Sequence, residues 1–155
     1  MEVPKPAAAH KLLHALPGDW IGDETVHPSP WAPQGAKSVG RVKNKVALGG
    51  LAVIQHYDQE MGGTVVFKGH GIFTVDRKQN QHVMYWFDTM LQSPPNFSQG
   101  GFSGTTLVLV SESGEGQTRA SWQLAAPDEY EYKLEVSEDG QQWTPRLDAI
   151  YRRAK

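Results

Sequence analysis

Hydrophobic and polar residues alternate with a period of two through most of the chain after Gly18. Glycine- or aspartate-rich turns separate these short segments, a pattern typical of antiparallel strands joined by tight connections. We expect strands near residues 19–27, 36–48, 51–60, 64–76, 81–88, 98–103, 105–111, 118–124, 129–136 and 143–152. We expect turns at Gly49-Gly50, Gly62-Gly63, residues 77–80, residues 114–116 and Asp139-Gly140. About ten short strands predict an all-β fold, either a closed antiparallel barrel or a sandwich.

The first segment has a different period. Apolar residues recur there at i, i+3, i+4 and i+7, which predicts an amphipathic helix over about residues 7–16 that covers one end of the barrel. This apolar stripe consists of Ala9, Leu12, Leu13 and Leu16. We expect the stripe to be buried, and we expect His10 and His14 on the other face to be solvated.

Composition and charge narrow the function classes. The 155 residues suit one domain over 1–155, with the barrel at about 18–153. Since the chain has no cysteine, it has neither disulfides nor thiolate metal sites. Its 15 basic and 17 acidic residues are scattered, so the basic face of a nucleic-acid-binding protein is missing. The N-terminal stretch lacks the apolar run of a secretory signal, and no segment reaches the length of a membrane span, so we expect a cytoplasmic protein.

The last two predicted strands separate an apolar face from a charged face. A two-residue turn at Asp139-Gly140 would place Tyr132 opposite Leu147 and Tyr130 opposite Ala149. One wet face and one apolar face are what an up-and-down barrel requires, so we favour the barrel. Tyr130 and Tyr132 are therefore candidate ligand-binding residues inside it.

Tight turns also predict the register of the middle strands. The loop at 77–80 pairs Gly69 with Asp88, and a two-residue turn at Gly62-Gly63 pairs His56 with Gly69. The glycine between the two ionisable groups leaves a notch for the polar end of a ligand. This interior face offers the candidate ligand-binding residues His56, Phe73, Met84, Trp86 and Asp88.

A second assignment of the faces stays open. A turn at Gly49-Gly50 places the alternating cations Arg41, Lys43 and Lys45 on the same face as His56, which suits solvent better. A shift of one residue would reverse the faces. The alternative interior face carries Gln55, His70 and Phe87. We favour the Trp86 face, because paired glycines in the neighbouring strand make room for an indole.

Several motifs together resemble a known family. They are Gly18-Asp19-Trp20-Ile21-Gly22, Gly49-Gly50, Gly69-His70-Gly71, Trp86-Phe87-Asp88, Ser137-Glu138-Asp139-Gly140 with Trp143, and Tyr151-Arg152-Arg153. From about Leu12 to the C-terminus the chain resembles an uncharacterised bacterial family of lipocalin-like barrels of the calycin superfamily. In lipocalins and fatty-acid-binding proteins the Gly-x-Trp tryptophan plugs the barrel floor beneath a late arginine. The resemblance therefore implies a structural role for Trp20 beneath Arg152 or Arg153, and it implies no reaction.

The opening also resembles that of the haem-binding nitrobindins. That likeness implies an axial histidine in the C-terminal strands, yet the last histidine of this chain is His82. We therefore expect no haem, no other cofactor and no structural metal.

Three functional hypotheses follow. The leading one is a non-enzymatic binding protein for a small, largely apolar molecule with one polar end, held inside the barrel. The second is a filled barrel that acts as an interaction or structural module. The third is an acid–base enzyme that uses His56 with Asp88. The sequence leaves the ligand, the pathway and the oligomeric state open.

Overall fold

The computed structural model describes residues 1–91, 94–114 and 116–155 and consists mainly of strands. A short helix, α1, covers Ala8–Leu12 and continues into a 3-10 turn at Leu13–Ala15. A second 3-10 turn covers Leu48–Gly50. The strands are β1 (Gly18–Val26), β2 (Ala36–Ala47), β3 (Ala52–Met61), β4 (Thr64–Asp76), β5 (Gln81–Asp88), β6 (Asn96–Ser103), β7 (Thr106–Ser113), β8 (Gly116–Gln123), β9 (Glu129–Ser137) and β10 (Thr144–Arg153).

The ten strands form one closed antiparallel barrel in which each strand pairs with its neighbours in sequence and β1 pairs with β10. The predicted all-β up-and-down barrel is therefore confirmed. Closure removes the exposed edges of an open sheet. Of the predicted turn at 114–116, residue 115 lies outside the described residues. Within the described ranges no helix is both long enough and apolar enough to cross a membrane.

The helix is shorter than predicted, and part of its buried stripe is different. Leu13 and Leu16 are buried, as expected, but Leu12 is 46% exposed and Ala9 is only partly covered. His10, which we expected in solvent, is buried instead. The change from α-helix to 3-10 turn after Leu12 accounts for the difference, because it changes the rotation per residue from about 100° to about 120°.

The register of β3 against β4 corrects one prediction. The turn at Gly62-Gly63 is present and pairs Met61 with Thr64, but a bulge follows between the Glu60–Val65 and Gln59–Phe67 pairs. The extra residue in β4 moves every later pair by one, so His56 faces His70 instead of Gly69. Because side chains alternate across a sheet, the shift turns His56 to the outer surface.

The predicted register of β4 against β5 is confirmed, with Gly69 opposite Asp88 and Gly71 opposite Trp86. On the other side of β3, Lys43 pairs with His56. These pairs decide between the two face assignments. The alternating cations of β2 share the outer face with His56, while the Trp86 face of β4 and β5 points inward. Each of the two face assignments was right for some strands and wrong for others.

The last hairpin also departs from its predicted register. Asp139 accepts hydrogen bonds from the backbone N–H groups of Gln141 and Gln142 at 2.8 and 2.9 Å, so a longer loop replaces the two-residue turn. A bulge between Pro145 and Leu147 follows. With both changes, Tyr132 pairs with Ala149 instead of Leu147, and Tyr130 pairs with Tyr151 instead of Ala149. Tyr130 and Tyr132 nevertheless point inward, because the displacement is by an even number of residues.

Candidate functional site

The end of the barrel beneath α1 is filled, and the tryptophan of the Gly-x-Trp motif lies in it. Trp20 is 2% exposed and donates a hydrogen bond from its indole Nε1 to the carbonyl of Leu16 at 2.9 Å. The guanidinium of Arg153 lies 4.2 Å from the centre of the Trp20 ring and donates to the carbonyl of Pro17 at 2.9 Å. Arg152 points away from the floor and pairs with Glu129 at 3.0 Å. Arg153 is thus the arginine that covers Trp20.

Gly18 explains why the motif begins with glycine. Its φ of +131° is disfavoured for residues that carry a Cβ atom, and a Cβ atom there would collide with the Arg153 guanidinium. Glycine at this position therefore leaves space for the Arg153 side chain of β10 to reach the Trp20 ring.

The other half of the barrel holds a cavity of about 350 Å³ that extends toward the strand ends opposite α1. Seven aromatic side chains line it: Tyr57, Phe67, Trp86, Trp122, Tyr130, Tyr132 and Tyr151. Aliphatic and thioether groups add to this wall from Val42, Met84, Leu109, Ala120, Leu134 and Leu147. Polar groups interrupt it at Glu24, Gln55, Gln59, Asp88, Asn96, Ser98, Ser111 and Thr118. We call this space the aromatic cavity.

Of the residues predicted as ligand-binding, Met84, Trp86, Asp88, Tyr130 and Tyr132 line the aromatic cavity. Phe73, also predicted as ligand-binding, is not among the lining residues. It is fully buried and packs edge-on against Trp122, with 5.4 Å between the ring centres. Trp86 lies over the glycines of β4, since a Cβ atom at Gly69 would collide with its ring. The expectation that glycines make room for an indole agrees with this geometry.

The indole of Trp86 is fixed by the neighbouring carboxylate. Its Nε1 donates to Oδ2 of Asp88 at 2.8 Å, and the backbone N–H of Met90 donates to Oδ1 at 2.8 Å. Each oxygen of Asp88 thus keeps one acceptor position, since a carboxylate oxygen has two lone pairs. Asp88 lies at the last residue of β5, where it can meet a ligand that enters the cavity.

His56 does not belong to this site, and its predicted pairing with Asp88 is wrong. His56 lies on the outer surface, where its Nε2 is 3.2 Å from Oδ1 of Asp58. The two proposed members of a catalytic pair therefore lie on opposite faces of the barrel wall. Of the alternative set, Gln55 lines the aromatic cavity, whereas His70 and Phe87 are exposed on the outside.

A second polar cluster, which the sequence reasoning missed, is built around Glu24. This carboxylate is 1% exposed and accepts hydrogen bonds from Tyr151 at 2.6 Å and from Tyr57 at 2.8 Å. Ser38 donates at 2.8 Å and Gln59 at 3.2 Å. Four neutral donors thus hold one buried carboxylate, which we call the tyrosine–glutamate cluster. Such a set offsets much of the cost of burying a charge.

Two glycines make room for the tyrosine–glutamate cluster. A Cβ atom at Gly22 would come 2.5 Å from the ring of Tyr151, and one at Gly40 would collide with the Tyr151 hydroxyl. Trp20, Gly22 and Glu24 alternate along β1, so a buried Trp20 places Glu24 on the inner face as well. That alternation is the signal in the sequence that could have revealed it.

Burial and the Glu24 charge act together on the tyrosines. Burial raises the pKa of Tyr57 and of Tyr151 well above the usual value near 10, and the Glu24 carboxylate raises each further. The pKa of Tyr132 is raised by the same two causes in the same order. These hydroxyls therefore stay protonated and act as neutral donors over the whole physiological pH range.

No histidine is among the described residues that line the aromatic cavity. His82, the last histidine, lies at the filled end and is 2.8 Å from the carbonyl of Ala9. Among the described residues, the cavity wall therefore offers no histidine for the axial role that the nitrobindin likeness implies. Across residues 1–91, 94–114 and 116–155, no group of three metal-ligating side chains comes together.

The fold and the cavity define the class of the protein, a closed barrel of ten antiparallel strands around an internal space. The chain belongs to a family described as "Protein of unknown function (DUF1579)", whose family model matches residues 5–153. No curated protein matches the chain.

Solved structures share the architecture at low sequence identity. The crystal structure of Rv2717c from M. tuberculosis is similar with a TM-score of 0.71 and 16% identity, covering 96% of this chain and 99% of that one. The S-type phycobiliprotein lyase CPES from Guillardia theta is similar with a TM-score of 0.66 and 10% identity, covering 96% of this chain and 94% of that one. At such identities the likeness concerns the fold alone.

Proposed function

We propose that this protein is a non-catalytic binding protein that holds a small, largely apolar molecule with one polar end inside its lipocalin-like barrel. The aromatic cavity carries the proposal. A space of about 350 Å³, walled by aromatic side chains with a few convergent polar groups, has the usual size and composition of a small-molecule site. A barrel that served as a filled structural module would have no reason to keep this space open.

Two further observations support binding over catalysis. The acid–base pair that would have made the barrel an enzyme is separated by the barrel wall. Of the two carboxylates inside, Glu24 is held by four neighbouring donors and Asp88 lies at the cavity mouth. We propose no resident cofactor or metal. The cytoplasmic location remains a sequence prediction, which fractionation of the native host would test.

Uptake of N-phenyl-1-naphthylamine, a neutral fluorophore whose emission rises in apolar surroundings, tests the proposed function. We expect saturable binding with one site per chain. In the variant Ala120→Phe a ring fills the cavity, and we expect the affinity to fall at least about ten-fold, which corresponds to the loss of about 1.4 kcal/mol. Ser121→Phe adds the same ring to the next residue, whose side chain points outward, and serves as the matched control.

A wild-type protein that takes up no fluorophore would contradict the proposal. So would an Ala120→Phe variant that binds as tightly as Ser121→Phe. Native mass spectrometry of the protein purified from its own host supplies an independent readout, because a retained ligand would be identified by its mass.

A further inference from the structure

The charged groups that face the aromatic cavity all have the same sign. Glu24 and Asp88 are the acids among the lining residues, and the described lining contains no lysine, arginine or histidine. Neither acid forms an ion pair with any residue of the described ranges. Lys37, close to Glu24 in the sheet, donates to Thr25 at 2.6 Å on the outer face. Two negative charges inside the barrel thus have no cationic partner among the described residues.

The same cavity holds polar side chains that lack a partner. Gln55 lines it and is only 6% exposed, yet in the described structure its side-chain amide makes no hydrogen bond. Ser111 also lines it at 7% exposure, and its hydroxyl makes no hydrogen bond to a described residue. Buried polar groups are nearly always hydrogen-bonded, so these two indicate a place that a ligand or water fills.

The aromatic walls favour the same kind of ligand as the acids do. The faces of tyrosine and tryptophan rings carry the negative part of the ring quadrupole and attract cations. Trp86 on β5 and Tyr57 on β3 face the cavity from either side of β4, with 6.2 Å between their ring centres. Carboxylates and ring faces together give the cavity a negative potential, and low-dielectric walls strengthen it.

The two acids have different tasks. All the donors of the tyrosine–glutamate cluster already converge on Glu24, so this carboxylate acts as a buried charge behind the wall. Asp88 keeps acceptor positions free at the mouth and can pair with a ligand directly. A ligand would therefore place its charged end at Asp88 and its apolar body deeper, against Trp86 and Trp122.

We infer that the ligand is an organic cation, an amine with an apolar and preferably aromatic body, and that the cavity rejects fatty acids and other carboxylates. This inference rests on the proposed function and names the chemical class of the ligand. His56, which the predicted register placed beside Asp88, lies outside and is not part of the cavity wall.

Three molecules with one body and different charges test the inference. They are 4-phenylbutylamine, 4-phenylbutan-1-ol and 4-phenylbutyrate, each measured at pH 7 by displacement of N-phenyl-1-naphthylamine and by calorimetry. We expect the amine to bind at least about ten-fold more tightly than the alcohol, and the butyrate at least about ten-fold more weakly than the alcohol. The free energy of a ten-fold ratio is a modest fraction of the Coulomb energy of a partly buried ion pair. Higher salt should reduce both ratios.

Isosteric variants separate the site from the overall charge of the protein. Asp88→Asn keeps an acceptor for the Trp86 indole and removes the charge, so the amine-to-alcohol ratio should fall several-fold toward one. Asp58→Asn removes one charge from the outer face, where Asp58 pairs with Lys68 at 3.2 Å, and should leave the ratio within about two-fold. Glu24→Gln should also lower the ratio, and Asp88→Asn still decides the question if that variant does not fold.

Each outcome either supports or overturns the inference. Tighter binding of the amine, lost in Asp88→Asn and kept in Asp58→Asn, supports it. If the butyrate binds as well as the amine, or if all three fail to displace a fluorophore that the protein does bind, the inference is wrong and the proposed function stands. If the protein takes up neither the fluorophore nor any of the three molecules, both are wrong.

Discussion

Removal of a single hydroxyl should show how strongly the tyrosine–glutamate cluster holds the barrel together. Tyr151→Phe deletes the group that donates to Glu24 at 2.6 Å. The ring itself stays, since it stacks on Tyr130 with 5.0 Å between the ring centres and lies against Gly22. The variant therefore changes one charge-assisted hydrogen bond and almost no packing.

The size of the effect follows from the remaining donors. A hydrogen bond to a charged group contributes about 1.5–3 kcal/mol, and the loss is greatest when the partner is left without any donor. Glu24 would keep Tyr57, Ser38 and Gln59, so we expect the lower part of this range, about 1.5–2 kcal/mol. For a chain of this length that corresponds to a fall in Tm of about 3–8 °C.

Urea unfolding followed by tryptophan fluorescence measures this change in the free energy of unfolding. Tyr132→Phe is the matched control, because Tyr132 points into the same cavity while its hydroxyl has no hydrogen-bond partner among the described residues. We expect the control to change stability by less than about 0.5 kcal/mol, as is usual for substitutions that break no specific interaction. Equal costs for the two variants, or a cost below about 0.5 kcal/mol for Tyr151→Phe, would refute the reasoning.

Three more predictions concern the filled end of the barrel. Leu16→Ala should lower the free energy of unfolding by about 2–5 kcal/mol because Leu16 is fully buried. Leu12→Ala should lower it by less than about 1 kcal/mol because Leu12 is 46% exposed. Similar urea midpoints for the two variants would show that α1 is loosely attached. Gly18→Ala should cost more than about 2 kcal/mol of unfolding free energy, because its φ of +131° lies outside the left-handed region that other residues tolerate. Gly104→Ala, with a φ of +58° inside that region and nothing within 4 Å, should cost only about 1 kcal/mol. An equal loss of Tm would contradict the backbone strain assigned to Gly18. Burial, and then the charges of Arg77, His82 and His14, lower the pKa of His10. The unfolded chain therefore binds a proton at this site more readily than the folded one. The His10 contribution to stability is full above about pH 6.5 and is lost as the pH falls below it. The variant His10→Gln should therefore lose less stability than the wild type between pH 7 and pH 5.5 in urea titrations, and parallel curves would count against it.

Much of the barrel could be predicted from the sequence because strands and turns leave local signals. The alternation of side chains along β1 to β10 and the glycine pairs between them place every strand within a few residues. The faces of β4 and β5 also follow from a turn that holds the expected register. Local pattern and tertiary structure agree in these segments.

The bulges could not be predicted, and they decide which residues form the site. One extra residue in β4, between the partners of Gln59 and Glu60, changes the register so that His56 lies outside and Gln55 inside. The neighbouring turn at Gly62-Gly63 was nevertheless predicted correctly. Nothing local distinguishes the two registers, because both bring apolar residues inward on β4. Glu24 was missed for another reason: an acid in a strand is usually solvated, and its four donors come from three other strands.

The central claim is that a ligand occupies the aromatic cavity, and the tryptophan side chains can report this directly. Trp86 and Trp122 line the cavity, whereas Trp31 is 86% exposed and Trp143 lies on the outside, 4.1 Å beneath the Arg119 guanidinium. We propose a titration with 4-phenylbutan-1-ol, followed through the five indole N–H signals in a nitrogen–proton correlation spectrum. If the ligand occupies the cavity, the Trp86 and Trp122 signals will shift and saturate together, while those of Trp31 and Trp143 stay in place. Shifts confined to Trp31 and Trp143, or no shift at any concentration, would contradict it.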